Sequence, residues 1–297
     1  MLSPFLRKRY RELFPGLREE MLTRALPQAL RVNTLRITEG ELLARLAERG
    51  FVLEKIPWVR YGYFIRRAPF SPGATPEYLL GHYYLQDPAS MYACEALEPR
   101  GGELVLDAAA APGGKTTYIA QLMQNRGCIL AVEVNRQRIR ALRASVMRLG
   151  VENTIVVRMD AREVSELGLR FDRVLLDAPC TGTGTAHKAE EALTKDERDL
   201  GHLLPLQRAL INAAYEVLKP GGVLVYATCS LLAEENEFIV QELLERENAR
   251  LLKIKHGSPA FDKPYGRKIN RQMKRARRFY PWEHSCQGFF VAKIQKL

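Results

Sequence analysis

The sequence predicts an α/β protein with a mostly parallel sheet, preceded by a small α+β module. Three observations point there. From about residue 81, short apolar runs alternate with helix-patterned segments, the pattern of βαβ units with both sheet faces covered. Residues 1–80 follow a different, strand–helix–strand order. Between the two lies FSPGATPEY (70–78), a Pro- and Gly-rich stretch that reads as a linker. The expected division is therefore 1–80 and 81–297.

Taken in order, residues 1–26 carry a helical pattern interrupted at Pro15-Gly16 and closed by Pro27. ALRVNTLRI (29–37) reads as a strand, ELLARLAERG (41–50) as a short helix, and FVLEKIPWVRYGYFIR (51–66) as one or two strands. YLQDPASMYACEALEP (84–99) should be mostly helix. Strands are expected at ELVLDAAA (103–110), CILAVEV (128–134), NTIVVRMD (153–160), FDRVLLDAPC (171–180) and VLVYATCS (223–230), with late strands at 251–255 and 288–296. The intervening helices are Thr116–Met123, 135–150, 203–218 and 234–247. Right-handed crossovers bring the carboxyl ends of parallel strands to one rim, where ligands bind. DAAAAPGGK, VEVN, RMDAR, LDAPC and ATCS all follow strands and should converge there.

With 297 residues and 46% hydrophobic content, the chain can fill one large or two modest domains. No apolar run nears the ~20 residues of a membrane span, and MLSPFLRKRYRELF lacks the apolar centre of a secretory signal. A soluble, cytoplasmic, monomeric protein is expected. The net charge of +11 is uneven: residues 1–80 carry 14 basic and 8 acidic side chains, residues 81–250 carry 19 and 24, and residues 251–297 carry 12 and 2. A mildly acidic body between basic ends suggests a track for a polyanion. In KINRQMKRARRFYPW (268–282), cations alternate with Phe279, Tyr280 and Trp282, the mixture that phosphate contact and base stacking use. The five cysteines contain no C-x-x-C pair and the five histidines are scattered, so neither a disulfide framework nor a metal site is expected.

Residues 107–117, DAAAAPGGKTT, raise the question of a cofactor. Gly114-Lys115-Thr116, with the small Ala109 five places before Gly114, makes a relaxed phosphate-binding loop. An NTPase reading implies a nucleotide with magnesium. Against it, Glu133 ends the second strand 19 residues beyond Gly114, where an acid commonly binds ribose hydroxyls. Asp107 would repel a triphosphate. S-adenosylmethionine carries an ammonium and a sulfonium and no phosphate, which suits a rim of Asp107, Glu133, Asp160 and Asp177. Taken singly, each of these acids could instead cap a helix. Gly113 and Gly114 would let the backbone approach the ligand closely.

Two cysteines, Cys180 in DAPC and Cys229 in ATCS, fall at strand ends on this rim. Cys94, Cys128 and Cys286 read as small core residues. Thiolates are strong nucleophiles. The C5 of cytosine becomes nucleophilic only after addition at C6, which a thiolate can supply while an acid holds N3. Asp177 lies three residues before Cys180 and suits that task.

LDAAAAPGGKTT, AVEVNRQR, RMDAR, LLDAPCTGTG, LKPGGVLVYATCS followed by EEN, and HSCQGFFVAK together resemble the Fmu/Sun family of RNA cytosine-5 methyltransferases. The resemblance covers roughly residues 84–297 and extends upstream to RVNTLR (31–36) and QDPAS (86–90). Chain length and the small N-terminal module are most similar to the archaeal tRNA enzymes of that family. It implies a Rossmann-like S-adenosylmethionine-dependent methyltransferase fold with a mostly parallel seven-stranded sheet, and an N-terminal module that binds RNA.

It also implies roles for matching residues. Ala109, Ala110, Ala111, Pro112, Gly113, Gly114 and Lys115 would wrap S-adenosylmethionine. Glu133 would bind its ribose with Arg138 nearby, and Asp160 would meet the adenine. Asp177 would face the methionine end and the target base. Cys229 would be the nucleophile and Cys180 would assist release. RNA would be the partner, tRNA ahead of rRNA, with no membrane and no metal. Lys263, Arg267, Lys268, Arg271, Lys274, Arg275, Arg277 and Arg278 are the expected RNA-binding cations. Many members have Cys where this chain has Ala109, and a basic pair followed by Asn-Pro or Pro-Asp where His187-Lys188 is followed by AEEALTKDERD, an acidic loop over 189–199. A non-catalytic RNA-binding protein on the same fold is disfavoured because both cysteines are present.

Overall fold

Thirteen strands form, most of them where the apolar runs lie, and the computed structural model describes residues 1–297. They are β1 Ala29–Val32, β2 Val52–Lys55, β3 Gly62–Arg67, β4 Tyr83–Leu85, β5 Leu104–Asp107, β6 Cys128–Glu133, β7 Thr154–Arg158, β8 Phe171–Asp177, β9 Leu218–Thr228, β10 Ala249–Leu252, β11 Ser258–Pro259, β12 Arg277–Phe279 and β13 Phe289–Lys296. The first four make an antiparallel sheet in the order β2-β3-β1-β4. The other nine form one sheet in the order β11-β12-β13-β9-β8-β5-β6-β7, with β10 also paired to β13. Seven strands were expected there; two of the nine, β11 and β12, are only two and three residues long. The β8-β5-β6-β7 ladders are parallel, whereas β13 runs antiparallel to β9.

The chain divides into two compact units, and the division differs from 1–80 and 81–297. One unit comprises Met1–Leu26, Ser165–Leu169 and Leu176–Leu297; the other comprises Pro27–Val164 and Arg170–Leu175. The N-terminal helix, Pro4–Leu13, thus belongs with the C-terminal half. Ser3 donates its N–H to the Leu193 carbonyl at 2.9 Å and its Oγ to the Lys195 carbonyl at 2.6 Å. Leu6, Tyr10 and Leu22 fill a core with Ala192, Leu200, Leu231 and Tyr280. In the other unit the small sheet closes over Leu30, Val32, Leu42, Leu46 and Tyr83. FSPGATPEY is no linker: buried Thr75 meets the Tyr83 hydroxyl at 2.7 Å and caps the Pro76–Leu79 helix.

Polar side chains set several boundaries. Asn33 folds the chain back after β1, its Oδ1 accepting from the Leu35 N–H and its Nδ2 donating to the Gly81 and Leu149 carbonyls, so the strand ends at Val32 rather than residue 37. The acidic run 189–199 is largely capping chemistry. Glu190–Leu193 is a 3-10 turn, and Asp196 caps the Glu197–Glu216 helix in a reciprocal box with Asp199. Acids in a first helical turn are favoured by the helix dipole. That helix ends at Glu216, before Pro-Gly-Gly, which lies inside β9.

The basic tract needs the largest correction. Lys263, Arg267, Lys268, Arg271, Lys274 and Arg275 are exposed, but Arg277 and Arg278 are buried in β12. Arg278, wholly buried, pairs with wholly buried Glu237 through both Nε and Nη2, and its Nη1 donates to the Leu231 carbonyl at 3.0 Å. Arg277 donates to the Lys274 and Ala276 carbonyls. Phe279 and Tyr280 are core residues and offer no stacking face. All three residues of β12 are buried, the strand pairing with β11 on one side and β13 on the other. Removing one partner of a buried ion pair strands the other charge, at a cost of roughly 3–5 kcal/mol. Arg278→Ala should therefore lose about that much in urea unfolding, while Lys268→Ala stays within about 0.5 kcal/mol.

Candidate active site

The glycine-loop side, where the cofactor was expected, is built at the carboxyl ends of β5, β6 and β7. Buried Asp107 ends β5 and accepts from Thr116 Oγ1 at 2.7 Å, tying the strand to the helix Gly114–Leu122. Gly113 caps that helix at φ +103°; a Cβ there would lie 2.9 Å from the Ser145 Cβ. A Cβ on Gly114 would lie 2.9 Å from the Tyr84 ring. These glycines serve close packing against the Arg136–Arg148 helix and Tyr84. Ser145 Oγ donates to the Pro112 carbonyl at 2.8 Å and holds the loop to the same helix.

Glu133 ends β6 almost wholly buried, Oε1 accepting from the Asn135 N–H at 2.9 Å. Arg138 joins it to the loop: Nη1 lies 3.2 Å from Glu133 Oε2, and Nη2 donates to the Ala111 carbonyl at 2.6 Å. Beyond that ionic contact Glu133 Oε2 takes no hydrogen bond, leaving an acceptor of the kind a ribose hydroxyl fills. Ala109–Lys115, Glu133 and Arg138 are thus brought together. Asp160 follows β7 and is held by Arg162, whose Nε lies 3.0 and 3.1 Å from the two carboxylate oxygens. Hydrogen bonding to Arg162 holds Asp160 below the usual carboxylate range.

One residue here had no role in the sequence reading. Arg31 of β1, wholly buried, donates to the Gly114 carbonyl at 2.6 Å, Gln86 Oε1 at 2.8 Å and Thr117 Oγ1 at 3.0 Å, and lies over the Tyr118 ring. Burial pulls it down to about 10, which still leaves it charged at neutral pH. RVNTLR carried only the family resemblance; nothing in its spelling says that its first arginine crosses to the glycine loop.

The thiol side lies at the ends of β8 and β9. Ala178 N–H donates to the Ala227 carbonyl at 2.9 Å, which aligns the turn after Asp177 with the end of β9. Cys180 Sγ and Cys229 Sγ then stand 3.3 Å apart, both free thiols. The Cys229 carbonyl accepts from the Gly184 N–H at 2.9 Å. Only glycine fits there: a Cβ on Gly184 would lie 2.2 Å from the Gly288 carbonyl oxygen. The hydrogen bond to Cys229, then burial, push the Cys180 thiol well above the ordinary range. His187, pulled down to about 4 by burial and by Lys188, is neutral at physiological pH.

A glycine loop entering a helix after a parallel strand, an acid closing the next strand, and a thiol pair at two further strand ends define a Rossmann-like methyltransferase. The comparisons agree. The family model for 16S rRNA methyltransferase RsmB/F matches residues 94–295, and that for the N-terminal domain of RsmF matches residues 5–88. The chain belongs to the RsmB/F methyltransferase family. A 28S rRNA (cytosine-C(5))-methyltransferase of Mus musculus is 41% identical over 98% of this chain and 38% of its own length. A tRNA (cytosine(49)-C(5))-methyltransferase of Pyrococcus abyssi is 39% identical over 93% of this chain and 90% of its own. The crystal structure of a methyltransferase homolog protein from Pyrococcus horikoshii superposes with a TM-score of 0.91, at 44% identity, covering 98% of this chain and 94% of that one. The chain spans a third to a half of the length of the curated eukaryotic rRNA relatives it matches.

The raised Cys180 thiol has a measurable consequence. A group pushed up carries less thiolate at a given pH, so alkylation of Cys180 by iodoacetamide should rise only above the ~8.5 of a free thiol. In Cys229→Ala the largest cause is gone, and the inflection for Cys180 should move down. Mass-spectrometric labelling rates between pH 6 and 10 read both.

Proposed function

We propose that the protein is an S-adenosylmethionine-dependent RNA cytosine-5 methyltransferase acting on tRNA through a transient bond between Cys229 and the target base. The observation that carries this is the pair of free thiols 3.3 Å apart at two strand ends. A single buried cysteine would be core filling; two facing sulfurs supply a nucleophile and a hydrogen-bond donor to it.

Ala109–Lys115, with Glu133, Arg138 and Asp160, are the residues that would hold the cofactor, Glu133 toward its ribose. When bound, S-adenosylmethionine supplies an electrophilic methyl group on its sulfonium. The rest is chemistry of the chain. Cys229 adds to C6 of the cytosine and makes C5 electron-rich. Asp177 holds the proton at N3 during that addition. After methylation a water molecule takes the C5 proton, the C5–H electrons re-form the C5=C6 double bond, and the Cys229 sulfur leaves C6 as a thiolate. Cys180, whose thiol retains its proton, donates a hydrogen bond to that sulfur and eases its departure.

Support for tRNA comes from the Pyrococcus abyssi tRNA enzyme, which this chain matches over 90% of that enzyme's length. Ribosomal RNA is the second reading, favoured by the 41% identity to the mouse 28S rRNA enzyme. Exposed Lys263, Arg267, Lys268, Arg271, Lys274 and Arg275 are the proposed phosphate contacts. Lys274 is partly committed, pairing with Asp262 at 2.8 Å.

Labelled methyl transfer to unmodified tRNA and rRNA-fragment transcripts, followed by bisulfite sequencing, tests the reading. Wild type should label cytosine C5 in tRNA, and Cys229→Ala should lose all transfer while binding S-adenosylmethionine normally. Cys180→Ala should trap an RNA adduct that survives a denaturing gel. Full transfer by Cys229→Ala would end the proposal. For the RNA grip, replacing Arg267, Lys268 and Arg271 together with Ala should lower the slope of log affinity against log salt by about 0.7–0.9 per lost phosphate contact.

A further inference from the structure

Two adjacent residues that the mechanism above does not use, Glu235 and Asn236, are each bonded to one of the two sulfur-bearing turns. Both are wholly buried. Glu235 Oε1 accepts from the Thr181 N–H at 2.8 Å and Gln207 Nε2 at 3.0 Å, and Oε2 accepts from Thr181 Oγ1 at 2.5 Å. Gln207 Nε2 also donates to the Pro179 carbonyl at 2.8 Å. Cys180 is therefore flanked on both sides by residues tied to this carboxylate, directly at 181 and through Gln207 at 179. Asn236 does the same for the other sulfur. Its Oδ1 accepts from Thr228 Oγ1 at 2.5 Å and its Nδ2 donates to the Ser230 carbonyl at 2.9 Å. Thr228 Oγ1 accepts in turn from the Ser230 N–H at 3.2 Å. Cys229 sits between the two residues held.

Asn236 occupies the N-cap of the Glu237–Arg246 helix, the position where asparagine ordinarily bonds the first turn. It makes no such bond. Its amide is spent on the Cys229 turn instead. A buried carboxylate is costly unless satisfied, and Glu235 is satisfied by donors that belong to the Cys180 corner.

We infer that Glu235 and Asn236 are positioning residues with separate tasks: Glu235 holds Cys180 for release of the methylated base, and Asn236 holds Cys229 for attack. This rests on the methyltransferase reading above. The charge of Glu235 also acts on Cys180. After the Cys229 hydrogen bond, burial and the Cys229 charge, it pushes the thiol in the same upward direction and favours the protonated form.

The two residues should fail in opposite ways. Glu235→Ala loosens the releasing thiol, so covalent RNA adduct builds up as it does in Cys180→Ala. Asn236→Ala loosens the attacking thiol, so adduct falls below the wild-type level. A merely structural role would move both variants alike. Misplacing a reacting group by about 1 Å costs on the order of 100-fold, so product formation should drop roughly 10- to 100-fold in each. S-adenosylmethionine affinity by calorimetry should stay within about twofold of wild type, since neither side chain is among the cofactor residues.

The experiment compares wild type, Cys180→Ala, Cys229→Ala and the two alanine variants on an unmodified tRNA transcript, reading adduct on a denaturing gel and product by label. The pair Glu235→Gln and Asn236→Asp runs alongside and carries the test if an alanine variant does not fold. Glu235→Gln keeps an acceptor for the Thr181 N–H and should show an intermediate adduct level. Asn236→Asp sets a carboxylate against the Ser230 carbonyl and should show little adduct. Adduct levels that move the same way at 235 and 236, or that match wild type in both, overturn the inference. If Cys180→Ala itself traps no adduct on an RNA that wild type methylates, the division of labour between the sulfurs fails, and this inference with it.

Discussion

Two sulfur atoms 3.3 Å apart are of use only if the backbone behind them cannot relax, and most of the C-terminal half is arranged around that need. Gly184 and Gly288 pack backbone on backbone, the Gly288 N–H donating to the Gly184 carbonyl at 2.8 Å, where any side chain would collide. Thr183 Oγ1 accepts from the Leu231 N–H at 2.9 Å just beyond Cys229. The Arg278–Glu237 pair anchors the helix that follows Asn236, and Arg278 also takes the Leu231 carbonyl. A cation that reads as a surface group in the sequence is thus a structural pin two steps from the thiols.

The glycine loop shows the same economy with different parts. It has few side chains of its own, so neighbours hold its carbonyls. Arg138 takes Ala111, Ser145 takes Pro112 and Arg31 takes Gly114. Charge-assisted donors are about twice as strong as neutral ones, and two of these three are guanidinium groups.

The α/β alternation was legible because apolar runs and helical periods are local signals, and every strand expected from residue 103 to 230 exists with its ends moved by a few residues. The strand-end cysteines and Glu133 were legible for the same reason. What escaped was long-range. Nothing local distinguishes Arg278 from Arg275, one residue pair apart in a basic run, because the former is buried in β12, which pairs with β11 and β13. The compact units divide elsewhere than at residue 80, and Pro and Gly in 70–78 mark turns as readily as linkers, Thr75 and Tyr83 burying this one. The acids of 189–199 read as a surface loop because a capping box looks like any acidic run until the helix behind it is known. Glu235 and Asn236 gave no signal beyond a motif, since their partners lie at 179–181, 207 and 228–230.

The placement of residues 1–26 with the C-terminal half has a consequence for biosynthesis. The apolar side of the first helix, Leu6 and Tyr10, is covered by residues as late as Tyr280. At ~5–20 residues per second, a ribosome needs on the order of ten seconds or more to make that covering. Throughout that interval the nascent chain presents a greasy, basic segment to whatever surrounds the exit tunnel. Its protection by a chaperone or by transient burial elsewhere is a demand written into the topology.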